Sequence, residues 1–231
     1  MATTNKRRLL LFDIDGTLIT SGGAGEQSLK DAMQDAFGFP EDLQGINLAG
    51  ATDGLISRQM LEKSNLAVTP ENITALLDAY LHNLKQRMPL HKGRLLPGII
   101  QLLEELKKHE SCVLALLTGN VARGAEIKLS HYGVWDYFEF GAFSDDSHDR
   151  NQLGNFARAR ALERHGEEFP PEQVYVIGDT PRDIECGRAF GGKTVAIATG
   201  NYSLEELEAH KPDFLFQDLS ETAAVVKVLT S

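Results

Sequence analysis

Four short apolar runs, each ending on small or polar residues, set the rhythm of the chain. Leu9–Phe12 leads into Asp13-Ile14-Asp15-Gly16-Thr17, and Val113–Leu117 into Thr118-Gly119-Asn120. Val174–Ile177 leads into Gly178-Asp179, and Thr194–Ala198 into Thr199-Gly200. Nearly continuous apolar strands suit a parallel sheet covered on both faces, because neither face has to meet water. Between them, Gly98–His109, Asn151–His165 and Asp183–Phe190 carry apolar residues at helical spacing. Pro97 opens the first of these helices and Gly191-Gly192 stops the last. Strand and helix in alternation predict a doubly wound, Rossmann-like α/β core with a parallel sheet.

The stretch from Ile19 to Lys92 breaks that alternation. Helical patterns fall at Glu26–Phe37, Leu55–Ser64 and Asn72–Arg87, with Gly, Pro and Asn in the loops and no strand pattern among them. The reading is an α-helical cap domain, residues 19–92, inserted into a core made of residues 1–18 and 93–231. Ser21-Gly22-Gly23-Ala24-Gly25 has no Gly-Lys-Ser/Thr after it, so a P-loop is excluded and a hinge between core and cap suits it.

Composition narrows the function classes. The chain has 231 residues, 42% of them hydrophobic, enough for a sizeable core. A net charge of −10 argues against nucleic acid or an anionic membrane as main partner. No apolar run approaches the ~20 residues of a membrane span, and Leu9–Phe12 is too short for a signal peptide, so a cytoplasmic location is expected. Cys112 reads as core and Cys186 as a free thiol, with neither a disulfide framework nor zinc spacing. Trp135, with Tyr132, Tyr137 and Phe138, reads as packing against the sheet, and the Asp145, Asp146, His148, Asp149 patch as a solvated loop.

The polar residues that follow the strands belong to one end of the sheet, where open α/β folds bind ligands. Asp13 and Asp15 leave the first strand on the same side, two residues apart. Two carboxylates so close demand a cation, and Mg²⁺ fits an all-oxygen set completed by phosphate; the competing reading is an ordinary strand-to-turn transition. Thr118, Gly119 and Asn120 offer a hydroxyl, a bare amide and a side-chain amide, which can cradle phosphate oxygens or merely form a turn. Asp179 reads as a metal ligand, and Asp183 as either a second acid in the same space or a helix cap. A cation must offset these charges. Arg150, Arg158, Arg160 and Arg164 precede the strand at Val174, and only Arg150 stands at a helix start.

Taken in order, DIDGT, TGN, a basic residue and GDTPRD resemble the haloacid dehalogenase-like hydrolase superfamily, in its phosphoglycolate phosphatase-like and β-phosphoglucomutase-like branch. The resemblance covers essentially the whole chain. It implies that Asp13 attacks phosphorus to form an aspartyl-phosphate, and that Asp15 is the general acid and base. It implies too that Thr118 and the Gly119 amide hold the phosphoryl group, with a cation at the third motif. Asp13, the Asp15 main-chain carbonyl and Asp179 would hold Mg²⁺, with Asp183 nearby. Family members most often carry Lys-Pro at the third motif, where this chain has Asp149-Arg150-Asn151. The presence of Asp15 favours phosphate esters over carbon–halogen substrates. The expectation is therefore a Mg²⁺-dependent phosphatase, monomer or homodimer, acting on a small phosphorylated metabolite. A phosphomutase and a non-catalytic regulatory protein on the same fold are the alternatives. Thr52, Asp53 and Arg58 are candidate substrate contacts from the cap.

Overall fold

The apolar run at the start of the chain forms β1 (Arg8–Phe12), followed by the two-residue β2 (Ile19–Thr20). Three helices come next, α1 (Ala24–Phe37), α2 (Asp53–Lys63) and α3 (Pro70–Arg87), and then β3 (Arg94–Leu95). Alternation follows through α4 (Ile99–Leu106), β4 (Cys112–Leu117), α5 (Ala122–His131), β5 (Gly141–Ala142) and α6 (Arg150–His165). The chain ends with β6 (Val174–Gly178), α7 (Pro181–Ala189), β7 (Lys193–Ile197), α8 (Leu204–Ala209), β8 (Phe214–Phe216) and α9 (Thr222–Thr230). The computed structural model describes residues 7–230; the first six positions of the expected core segment, and Ser231, lie outside it.

Six strands form one parallel sheet in the order β5-β4-β1-β6-β7-β8. From β1 the chain builds outward through β4 to β5, then returns to the other flank of β1 for β6, β7 and β8. That reversal puts the ends of β1, β4 and β6 side by side, the position at which such sheets bind ligands.

Both faces of the sheet are buried, as the unbroken apolar runs require. Leu10, Phe12, Leu114, Leu116, Tyr175 and Ile177 pack against α4, α5 and α9. Their alternate neighbours Leu9, Leu11, Val113, Ala115, Val174 and Val176 pack against α6 and Cys186 of α7. Each fully buried Leu or Val contributes about 2 kcal/mol of transfer free energy, so the central strands fix the site's floor firmly. Tyr132, Trp135, Tyr137 and Phe138 lie against the first of these clusters, as expected.

The three helices between β2 and β3 gather around a cluster of their own that includes Met33, Ile56, Met60, Leu76, Tyr80 and Leu84. Val121, at the N-terminus of α5, joins it as a buried member, and Ile127 and Tyr132 pack against it from the same side. Thr52 and Thr69 cap α2 and α3 by accepting the Leu55 and Asn72 amides, at 3.2 and 3.3 Å. One expectation is corrected here: a strand does lie in 19–92. β2 pairs antiparallel with β3 through Ile19–Leu95 and Thr20–Arg94, a ribbon too short to show a sequence period. β5 and β8 are similarly short and complete the sheet's edges.

Candidate active site

Asp13 is the first residue beyond β1, and its amide still bonds to Ile177 O of β6 at 2.9 Å. The chain then turns sharply: the Leu18 and Ile19 amides both donate to Ile14 O, and the Gly16 amide to Ile19 O. Gly16 sits at φ +84°, and a Cβ there would fall 2.3 Å from Asp179 Oδ2. Only glycine permits both that backbone and that approach. Thr17 donates its hydroxyl to Asp179 Oδ1 at 3.0 Å, tying the turn to the end of β6.

Asp13, Asp179 and Asp183 are all buried, and one oxygen from each lies within 4.8 Å of the others. Burial pushes the Asp13 carboxyl up to about 6 against the pull of Arg150, with Asp183 and Asp15 adding to the rise. Burial also lifts Asp179 well above the carboxylate range, followed by the charges of Asp183 and Asp13. Three buried carboxyls grouped in this way form a donor set of hard oxygens that fits a divalent cation, whose charge would favour the anionic form of Asp13 and Asp179. The Asp15 side chain lies outside this group; the expectation for it as a ligand concerns its main-chain carbonyl.

Arg150 opens α6, with Asp149 as N-cap accepting the Asn151 amide at 3.0 Å. Its Nη2 lies 2.5 Å from Asp183 Oδ1 and 3.1 Å from Asp13 Oδ1, and its Nη1 donates to Gly50 O at 3.2 Å. Burial opposes its charge, but Asp183 and Asp13 outweigh that and hold the guanidinium ionised. Asp183 serves both readings at once. Its Oδ2 caps α7, accepting from the Thr180 amide and hydroxyl at 3.0 and 2.7 Å, while its Oδ1 faces Arg150. The other arginines point elsewhere: Arg158 to Phe169 O, Arg160 to Asp146, and Arg164 to solvent.

Thr118 and Asn120 follow β4 and are buried, with Asn120 Nδ2 donating to Thr118 Oγ1 at 2.8 Å. A Cβ on Gly119 would fall 2.1 Å from Ala51 O, so glycine is needed where this turn meets the chain entering α2. The Asp53 amide donates to Gly119 O at 2.7 Å, and Asp53 Oδ2 accepts the Val121 amide at 2.8 Å. A cavity of about 150 Å³ opens here, lined by Asp13, Asp15, Thr118, Asn120 and Arg150 from the core and by Ser21, Leu29, Asp53, Ile56 and Tyr80 from the helical side.

The sequence profile described as haloacid dehalogenase-like hydrolase matches residues 10–197. The chain belongs to this family of hydrolases. Phosphoglycolate phosphatases of Vibrio vulnificus and Aquifex aeolicus are 26% and 28% identical to it; the matches cover 98% and 96% of this chain, and 99% and 96% of theirs. A hydrolase from Pseudomonas syringae has the same fold, with a TM-score of 0.73 at 23% identity over 97% of this chain and all of that one. With phosphatases among its sequence relatives, this haloacid dehalogenase-like chain is an enzyme of the phosphatase kind.

Two readings are refined in this family member. The acidic patch is a loop with Asp145, His148 and Asp149 exposed, as expected, and its acids also bond: Asp145 Oδ2 accepts the Ala122 amide at the start of α5, Asp146 pairs with Arg160 at 2.6 Å, and Asp149 caps α6. Of the three cap-side candidates, Asp53 reaches the cavity, Thr52 donates to His148 O at 2.6 Å, and Arg58 is not among the cavity's lining residues. One site residue escapes the sequence reading altogether. Lys128 of α5 is buried, lines the cavity and donates to Asp15 Oδ2 at 2.6 Å. The signal for it is a lysine within the buried stripe of Gly124, Ala125 and Leu129.

Among the described residues, no helix is long and apolar enough to cross a membrane. Cys112 and Cys186 are free and buried, and burial pushes the Cys186 thiol up to about 12, so it is inert packing.

Proposed function

We propose that the chain is a Mg²⁺-dependent phosphatase that cleaves a small phosphorylated metabolite through an aspartyl-phosphate on Asp13. The observation that carries this reading is the setting of Asp13. It is buried beside Arg150, grouped with Asp179 and Asp183, and followed two residues later by an acid that faces the same cavity.

In this reading Asp13 attacks phosphorus with the oxygen that Arg150 leaves free. Thr118 and the Gly119 amide bind the phosphoryl oxygens, and Asn120 orients Thr118. Arg150 keeps Asp13 anionic and offsets charge on the transferring group. Asp15 gives a proton to the leaving oxygen and later takes one from water. Asp13, Asp179 and Asp183, with the Asp15 carbonyl, would hold Mg²⁺, which supplies charge neutralisation for the phosphoryl group when bound. The helical segment, residues 19–92, acts as a cap: α1, α2 and α3 supply one wall of the cavity and exclude water from it, and the Ser21–Gly25 stretch is its hinge. A cavity of about 150 Å³ suits a metabolite of few carbons.

Assay of the purified protein against a panel of phosphorylated metabolites, 2-phosphoglycolate included, tests the proposal. Free phosphate is expected with Mg²⁺, and none after chelation until Mg²⁺ is restored. Isomerised product without phosphate release would instead mark a phosphomutase. No turnover of any member would leave a non-catalytic role.

A further inference from the structure

Lys128 occupies a place in α5 where its neighbours Gly124, Ala125 and Leu129 are buried against the rest of the molecule. Its ammonium crosses to the cavity, with the side chain only 5% exposed, and there meets Asp15 Oδ2 at 2.6 Å and Asn120 Oδ1 at 2.6 Å. Asn120 closes the ring by donating its Nδ2 to the same Asp15 oxygen at 2.9 Å, and to Thr118 Oγ1 at 2.8 Å. Burying an ammonium is costly unless its N–H groups find acceptors, so the lysine and its partners hold one another in place.

The ring is asymmetric in a way that bears on chemistry. Both donors fall on Oδ2 of Asp15, so these contacts commit that oxygen as an acceptor and leave Oδ1 uncommitted by them. Asp15 needs such restraint, since its own side chain is 42% exposed and sits just before the tight turn at Gly16. Arg150 cannot supply it, because its contacts are with Asp13, Asp183 and backbone carbonyls.

We infer that Lys128 is a positioning residue for proton transfer: it fixes Asp15 Oδ2 so that Oδ1 faces the oxygen that leaves phosphorus. The inference rests on Asp15 being the acid–base group of the proposed mechanism. In the first step an Asp13 oxygen bonds to phosphorus as the bond to the leaving oxygen breaks, and the proton on Asp15 Oδ1 passes to that oxygen. In the second, Asp15 takes a proton from water as the water oxygen bonds to phosphorus and the Asp13–phosphorus bond breaks. A misdirected Asp15 harms the first step in proportion to the leaving group's need for a proton.

That proportion is the readout, because damage that is merely structural would slow all substrates alike. The measurement is kcat/KM, which reports steps up to departure of the leaving group, for an alkyl phosphate and for p-nitrophenyl phosphate, whose leaving group departs unprotonated. Lys128→Met should lose about 100-fold on the alkyl ester and less than about 5-fold on the aryl ester, the span that general acid catalysis commands. Lys128→Gln, which can still donate to Asp15, should recover part of the alkyl loss, and it carries the test if the Met variant does not fold. Asp15→Asn should show the same leaving-group pattern, and adding Lys128→Met to it should cost nothing further.

Equal losses on both esters, or additive losses in the double variant, would overturn the role of Lys128 while leaving Asp15 as the acid. An Asp15→Asn variant with no leaving-group dependence would remove the acid–base reading and this inference with it.

Discussion

Arg150 and Lys128 are both buried cations at one cavity, yet they hold different carboxylates and face different parts of the molecule. Arg150 belongs to the core. It joins Asp13 at the end of β1 to Asp183 at the start of α7, and every partner it has besides Gly50 O comes from the sheet side. Lys128 belongs to the boundary. It joins Asp15 to Asn120, and Asp53 of the helical segment adds to the field that holds it charged against the cost of burial. In the proposed mechanism the nucleophile is thus set with the acids that would hold the metal, while the acid–base group is set where the sheet and the helical segment meet.

Breaking the Arg150 side should have the largest effect. Arg150→Ala is expected to lower kcat/KM by about 10²–10³-fold, as loss of a preorganised charge-stabilising donor does. It should also destabilise the fold by about 3–5 kcal/mol, because Asp13 and Asp183 are left as unpaired buried charges. Arg150→Lys should restore part of the stability and less of the rate, since a single ammonium cannot reproduce the fork that places Nη2 on both carboxylates and Nη1 on Gly50 O. Steady-state kinetics and thermal melts check both. A variant that turned over substrate like wild type would mean that another cation holds the phosphate.

On the Lys128 side the sharper probe is stability against pH. Burial, partly offset by Lys128, pushes Asp53 up to about 6 from an ordinary 3.8. A raised carboxyl pKa means that the folded state prefers the protonated form. Its contribution is fully present below pH 3.8 and is lost as the pH rises through about 6. Asp53→Asn removes the ionisation and keeps an oxygen for the Val121 amide. It should therefore be more stable than wild type at pH 8 by about 1–3 kcal/mol, because a tenfold change in proton affinity corresponds to ~1.4 kcal/mol. The gap should close toward pH 4. Denaturant unfolding at the two pH values decides it, and an equal difference at both would show that the carboxyl's charge is not the cause.

The same contrast explains what could be read from the chain alone. Arg150 was legible because its place depends on order: a cation at a helix start between TGN and GDTPRD, on a sheet whose strand ends must converge. Arg158 and Arg160 could be excluded only once Phe169 O and Asp146 were seen to hold them, and Arg164 once it was seen to be exposed. Lys128 was not legible, because what makes it functional is a contact 113 residues away in sequence. Helical spacing marks only that a lysine sits in a buried stripe, which is also how a snorkelling side chain looks. The long buried strands announced themselves by continuous apolar runs. β2, β3 and β5 have two residues each, fewer than any period needs, so the ribbon that ties the helical segment to the core appeared only in three dimensions. Asp145 and Asp149 are exposed, as the sequence suggests, but their bonds to helix-start amides were not legible, because a capping acid and a purely solvated one have the same sequence.

The central claim is that Asp13 carries the phosphoryl group, and trapping that species tests it most directly. Enzyme quenched in acid during turnover of a radiolabelled substrate, then digested, should carry the label on the peptide that contains Asp13, and hydroxylamine should release it as expected of an acyl-phosphate. Asp13→Asn should fold normally, carry no label and lose more than about 10⁴-fold in rate, as nucleophile removal does elsewhere. Label on any other residue, or near-normal turnover by Asp13→Asn, would contradict the account.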